Sequence, residues 1–259
     1  MARLKIGDAP RRVEDIRFLT GCGCYVDDIR LPQMAHAVVL RSPHAHADIV
    51  AIETDAASTC PGVLAVLTGR DLEAAGIGPV LPAERVNAYS GEPFRYPAQY
   101  PLAKDRVRYA GEPVALVVAE TREQAQDAAE RVAVEYAPLA AVTSIAAAIA
   151  SGDAEHVCLE WSAGDKAATD AAVQAVTHVT RLDLHNHRIV TNSMEPRGGI
   201  GEFDPSTGRY TLHVSSQSLH MVRDRVAETL GVEAAKVRFV APDVGGGFGV
   251  KNFVYPEMT

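Results

Sequence analysis

Apolar and polar residues alternate in short blocks along most of the chain, and the period of the alternation changes from block to block. Alternating or compact β-branched runs predict strands over 34–41, 47–53, 63–67 and 113–119, with 63–67 read as buried from its length and flanks. Asp55-Ala-Ala-Ser ahead of Pro61-Gly62 reads as a short helix ended by a turn. Thr121-Arg-Glu-Gln124 has the form of a capping box, in which the Thr and Gln side chains satisfy each other's orphan amides. It predicts a helix of about three turns with a small-residue face of Ala125, Ala128 and Ala129, followed by a strand over 132–136 before Pro138.

The pattern lapses in three places. Residues up to Asp28 show no clear period and read as an extended arm, suited to lying on a neighbour. The Gly- and Pro-rich stretch 76–100 reads as a long surface loop, and alanine-rich 144–151 with Gly152-Asp153 as a connector. The expectation is therefore an α+β first domain with its arm over 1–145 and a second unit over 146–259. In the second unit, 167–176 predicts an amphipathic helix and 179–189 a strand. Strands at 199–203 and 209–214 flank the turn 204–208 as a hairpin, and 236–241 predicts a further strand. Between them Leu219, Val222, Val226 and Leu230 recur at helical spacing, with Ser218 as N-cap and Gly231 as the stop.

Composition narrows the class. A chain of 259 residues, 47% hydrophobic, has enough apolar surface for one large or two ordinary cores. A net charge of −8 argues against nucleic acid and acidic membranes as partners, since both select a basic face. No apolar run is long enough to span a bilayer, and the first residues lack a signal-peptide core, so the expected location is cytoplasmic. Cys22, Cys24, Cys60 and Cys158 are too few and too uneven for a disulfide framework. Cys22 and Cys24 with His44 and His46 could suggest a metal, but no Cys-x-x-Cys or iron–sulfur spacing accompanies them.

Candidate chemistry gathers near the end of the sequence. Asp243-Val-Gly245-Gly246-Gly247-Phe248-Gly249-Val-Lys251 strips side chains from the backbone just past the end of a strand. Such a loop either lets the chain bend or lets a ligand approach bare amides. Neither a Walker loop nor a Gly-x-Gly-x-x-Gly fingerprint fits its spacing. Gln217, just ahead of a helix start, is either a routine polar residue there or an amide offered to an anionic group. Glu195 and Arg197 either line a path to a ligand or form an ion pair on a rim, and His220 is placed near the same surface or in solvent. His185-Asn186-His187 shares three letters with a nuclease motif but not its flanking context, and reads as exposed polar residues near a strand end.

Residues 243–257, DVGGGFGVKNFVYPE, resemble the glycine-rich loop of the molybdenum hydroxylase large chains, the family of xanthine oxidase, aldehyde oxidase and aerobic carbon monoxide dehydrogenase. RVEDIRFLTGCGCYVDDIRLP (12–32), RSPHAHADI (41–49), PLAKDRVRYAGEPVALVVAET (101–121), MEPRG (194–198) and VSSQSLH (214–220) match the family's motifs in the family's order. The resemblance implies an α/β hammerhead domain followed by the incomplete start of a molybdopterin-binding α/β domain. It implies that Gln217 donates a hydrogen bond to an oxo ligand of molybdenum, and that Gly246, Gly247, Phe248 and Gly249 pass close to the metal and the pterin dithiolene. Gln217 and Phe248 would then lie in the molybdenum neighbourhood without ligating it. The implied cofactor is molybdopterin in its cytosine dinucleotide form, with FAD on a medium subunit and 2Fe-2S clusters on a small subunit.

The departure from the family is length. The general-base glutamate of the family has no matching position here, so the expectation is a chain inactive alone, completed by a separate C-terminal large-subunit chain. The implied reaction oxidises an aldehyde, an N-heterocycle or carbon monoxide, small molecules all, with oxygen from water. The alternative is a truncated, non-catalytic assembly or interaction module. A phosphate-binding enzyme is the weaker third option.

Overall fold

The structure is a computed structural model, and it describes residues 6–82, 96–152 and 163–259. The middle of the expected 76–100 loop, Asp153 and Cys158 lie outside the described residues. The first half carries strands β1 (His36–Arg41), β2 (Ala47–Glu53), β3 (Val63–Thr68), β4 (Arg106–Val107), β5 (Pro113–Ala119) and β6 (Ala133–Pro138). Its helices are α1 (Asp15–Leu19), α2 (Asp55–Ser58), α3 (Gly69–Ala74) and α4 (Arg122–Ala129). One antiparallel sheet has the order β1-β5-β3 and a second the order β4-β2-β6.

The pleat of β5 feeds two cores at once, because successive side chains point to opposite faces. Ala115, Val117 and Ala119 are fully buried against Ala125, Ala128 and Ala129 of α4, while Val114 joins Ala47, Ala103 and Val107 in a second cluster. Alanines on α4 let the helix lie close to the sheet. The helix begins as expected: Gln124 N donates to Thr121 Oγ1 at 3.2 Å and Thr121 N to Gln124 Oε1 at 3.0 Å. It ends after 8 residues, shorter than its pattern suggested. The 63–68 strand is only half-buried, with Leu64 exposed.

Two stretches expected to be irregular are ordered differently. The opening residues are not an extended arm throughout, since α1 and a 3-10 turn at Val26–Asp28 break them. The alanine-rich connector is a helix, α5 (Ile145–Ser151), capped by Ser144 and ended by Gly152 in the left-handed region.

Past the described residues of the first half comes α6 (Lys166–Ala175), which buries no residue. The strand expected over 179–189 does not form: among the described residues no strand lies beside the segment to take up its hydrogen bonds, and Leu182, Leu184 and Ile189 stand in solvent. Next come β7 (Gly199–Asp204), β8 (Arg209–Val214), α7 (Leu219–Thr229) and β9 (Val237–Val240). The hairpin turn is held by Asp204, whose carboxylate accepts from Ser206 and Thr207 and is lowered to about 2 by those bonds. β8 pairs antiparallel with β7 and parallel with β9, so α7 is a crossover connecting parallel neighbours. Val222 and Val226 of α7 pack with Val214 and Met258 in a third core.

Candidate functional site

A crossover between parallel strands leaves a crevice beyond their carboxyl ends, where open α/β sheets bind ligands. Both singled-out stretches lie there. Residues 215–218 come directly after β8, and the glycine loop 243–251 comes after β9. They are joined directly, as Gln217 N donates to Lys251 O at 2.9 Å and Gly249 N donates to Gln217 Oε1 at 3.0 Å. Ser218 occupies the N-cap position of α7, but its hydroxyl bonds Asn252 Oδ1 instead of the helix amides.

The backbone of the loop is special at three residues. Gly246, Phe248 and Gly249 have φ of 96°, 48° and 89°, so Phe248 occupies a region that side chains rarely adopt. Gly247 is not in that region; what it needs is space, because a Cβ there would lie 2.3 Å from Gln217 Cδ. The amides of Gly246, Gly247 and Phe248 donate to no acceptor in the described residues. The Phe248 ring is 74% exposed and Gln217 is exposed as well. Beneath the loop Ser193 Oγ is buried without a partner among the described residues, with Ser193 Cβ 3.3 Å from where a Cβ on Gly246 would stand.

Glu195 has no free edge to offer a ligand path. Its carboxylate accepts from Ser215 Oγ at 2.5 Å, Gly245 N at 2.7 Å, Lys251 Nζ at 3.0 Å and Val26 N at 3.2 Å. Burial pushes this carboxyl up, but those four donors together outweigh it and hold the group below the usual glutamate range. Arg197 lies over the Tyr255 ring at 3.6 Å and 4.0 Å from Glu257, which also pairs with Arg41 at the end of β1. His220 is exposed, outside these contacts. His185 and His187 stack on each other at 4.3 Å in the strandless segment.

The cysteine and histidine candidates separate. Cys24 gives its amide to Asp243 at 2.7 Å, His44 packs on Tyr136, and His46 Nδ1 meets Ala140 O. No cluster of three or more His, Cys, Asp or Glu side chains that could hold a metal ion occurs among the described residues. Three residues of the site were not singled out by their sequence pattern. Lys251 is fully buried, Ser215 bonds both Lys251 and Glu195, and Arg17 forks onto Asp243 from the opposite end of the chain. The available signal for Lys251 was a cation placed two residues after the last loop glycine, with a glutamate in MEPRG to receive it.

The a/b hammerhead domain of aldehyde oxidase and xanthine dehydrogenase matches residues 20–140, and the molybdopterin cofactor-binding domain matches residues 149–259. The chain belongs to the molybdenum hydroxylase large-subunit family. It is 38% identical over 267 residues to the nicotine 6-hydroxylase large subunit of Paenarthrobacter nicotinovorans, covering 99% of this chain and 31% of that one. It is 37% identical over 262 residues to the carbon monoxide dehydrogenase large chain of Hydrogenophaga pseudoflava, covering 94% of this chain and 31% of that one. Quinoline 2-oxidoreductase from Pseudomonas putida 86 superposes with a TM-score of 0.81 at 35% identity, covering 97% of this chain and 32% of the other. The chain thus spans about a third of the length of the relatives it matches.

The first sheets with α4 are the hammerhead domain, and β7 to β9 with α7 belong to the molybdopterin cofactor-binding domain. No helix among the described residues is long and apolar enough to cross a membrane. The residues at the carboxyl edge fit an anionic cofactor. Three consecutive amides lack acceptors among the described residues, three of the four loop positions 246–249 carry no Cβ, and the carboxylates of Glu195 and Asp243 are already occupied by the chain's own donors.

Proposed function

We propose that this chain is the cofactor-facing N-terminal part of the large subunit of a molybdenum-dependent hydroxylase or dehydrogenase. The observation that carries the reading is the set of unbonded amides at Gly246, Gly247 and Phe248, braced by the Gly249 to Gln217 hydrogen bond. Gln217, Gly246, Gly247, Phe248 and Gly249 would hold a molybdopterin cofactor, in its cytosine dinucleotide form, by N–H donors and clearance. Gln217 and Phe248 would stand in the molybdenum neighbourhood. When bound, such a cofactor supplies two-electron oxidation of a substrate carbon with oxygen drawn from water.

The chain's own share is to position and to shield. Backbone N–H groups fixed before the ligand arrives need no reorganisation when it binds, which is how preorganised donors act most strongly. The Gln217 amide is held by its oxygen, leaving its nitrogen as the remaining donor. Phe248, forced to a positive φ, presents an apolar ring at the loop's surface that can exclude water from the bound group.

The names of the relatives suggest a small substrate, such as an N-heterocycle or carbon monoxide, and an aldehyde fits the family equally. FAD and 2Fe-2S clusters are assigned to partner subunits, medium and small. Turnover is assigned to an assembly that also holds the remaining two-thirds of a large subunit, and the 259-residue chain alone is expected to be inactive. The domain division we propose stays at 145/146, within α5. The test is to purify the protein from its source with whatever copurifies, identify the accompanying chains by mass spectrometry, and measure molybdenum and pterin. A complex with stoichiometric accompanying subunits but no molybdenum would refute the reading.

A further inference from the structure

Lys251 is the largest side chain of the described residues that is wholly withdrawn from solvent, and it sits two residues beyond the last loop glycine. A buried ammonium is tolerated only where its charge and protons are met. Here Nζ donates to Glu195 Oε2 at 3.0 Å and to Ser215 Oγ at 2.7 Å, while Ser215 Oγ donates to the same carboxylate oxygen at 2.5 Å. The three side chains come from three separate stretches: the approach to β7, the end of β8, and the glycine loop after β9.

The same residues also hold the main chain on both sides of the candidate site. Glu195 Oε2 accepts from Gly245 N at 2.7 Å and Glu195 N donates to Gly245 O at 3.1 Å, which pins the entry to the loop. Lys251 O accepts from Gln217 N at 2.9 Å and from Ser216 Oγ at 3.3 Å, which pins its exit to the segment carrying Gln217. The fit is tight at the entry: a Cβ on Gly245 would lie 2.4 Å from Glu195 Cβ. Between those two pins lie the unbonded amides and the left-handed residues Gly246, Phe248 and Gly249.

We infer that Lys251 is a positioning residue whose ion pair with Glu195, shared through Ser215, sets the geometry of the loop amides and of Gln217 together. It touches no ligand itself, being buried behind the loop. A backbone that holds strained dihedrals keeps them only while its surroundings over-determine them, and this cluster is the surrounding that does so. The inference deepens the cofactor-loop reading and rests on it only where cofactor content is measured.

The experiment compares Lys251→Met, Lys251→Arg and Glu195→Gln with the parent, in the protein as expressed with any subunits that copurify. Amide hydrogen exchange is measured in peptides covering 214–218 and 243–252, with β5 and α4 as internal reference. Lys251→Met is expected to speed exchange in both site peptides by about tenfold or more while the reference peptides stay within about twofold of the parent. Lys251→Arg is expected to restore most of that protection, since it keeps the charge. Pterin and molybdenum per chain should fall in Lys251→Met to below about a third of the parent level.

Exchange unchanged in the site peptides would overturn the assignment. So would an equal loss of protection across the whole chain, or failure of both Lys251→Met and Glu195→Gln to accumulate as folded protein, because each would make Lys251 an ordinary structural group. A parent protein that holds no molybdopterin sinks the functional reading and leaves the exchange result to decide this one.

Discussion

Arg17 and Asp243, 226 residues apart in sequence, close on each other as a two-pronged ion pair. The pair straps the first helix of the chain onto the start of the glycine loop, and the Cys24 and Val26 amides add a second and third tie to Asp243 and Glu195. The Arg17 hydrogen bond, with that from Cys24 next in weight, holds the Asp243 carboxyl below its ordinary 3.8. A depressed carboxylate contributes stability that is complete above the ordinary value and is lost as pH falls through the folded one. The strap is therefore expected to stay closed at neutral pH and to open below pH 3.8, seen as faster exchange of the 15–24 amides after correction for intrinsic rates. Arg17→Ala should open it at neutral pH, giving rapid chymotryptic cleavage at Phe18, and slow cleavage in that variant would contradict the strap.

Two glycines of the loop should fail in different ways when given a methyl group. Gly247 has an ordinary φ but no room, and the atoms in the way are the far end of the Gln217 side chain. Gly249 has nothing within 4 Å of a built Cβ but a φ of 89°. Gly247→Ala is expected to push Gln217 aside and break its bond to the Gly249 amide, seen as faster exchange of that amide with little change in thermal midpoint. Gly249→Ala is expected to cost about 1–3 kcal/mol of stability through backbone strain. Equal stability losses in the two variants would show that space and φ are not separable here.

Thr121→Ala removes one half of the capping box that starts α4, whose buried alanines cover β5. The expected cost is about 1 kcal/mol, read as a shift in the denaturant midpoint of the first domain with an unchanged slope. A change under a few tenths would mean the tertiary packing of Ala125 and Ala128 alone fixes the helix start.

These residues also show what can be read from a sequence and what cannot. Thr121 and Gln124 are three positions apart, so their partnership is visible in the letters, and the unbroken apolar run of 113–119 marks a strand that is buried over most of its length. The loop was legible as bare backbone, and its kinship came from several motifs in one order. What stayed hidden depends on partners far along the chain. Residues 179–189 alternate like a strand, yet a strand exists only when another lies beside it, and none does among the described residues. The burial of Lys251 is set by Glu195 and Ser215, 56 and 36 residues away in sequence. Alanines at 145–151 looked like a lapse in pattern, although Ser144 and Gly152 already bracket a helix.

Gln217 allows a test that separates bracing the loop from contacting a ligand. Its oxygen accepts the Gly249 amide, and its nitrogen is the donor left for a bound group. Gln217→Ala removes both functions, whereas Gln217→Glu keeps an acceptor for Gly249 and replaces the donor with a negatively charged oxygen. In an assembly that contains the rest of the large subunit, Gln217→Ala is expected to keep most of its molybdenum, because the three unbonded amides remain. Its turnover should fall by about a hundredfold to a thousandfold if the lost donor is preorganised toward developing charge. Gln217→Glu then decides the role. Should the residue only brace the loop, Glu would restore turnover, since the Gly249 bond is rebuilt. Should it donate to an anionic group, Glu would be as slow as Ala or slower, because like charges meet across the missing donor. Molybdenum analysis and single-turnover rates on the two variants, taken together, distinguish these outcomes, and full activity in both would remove Gln217 from the site.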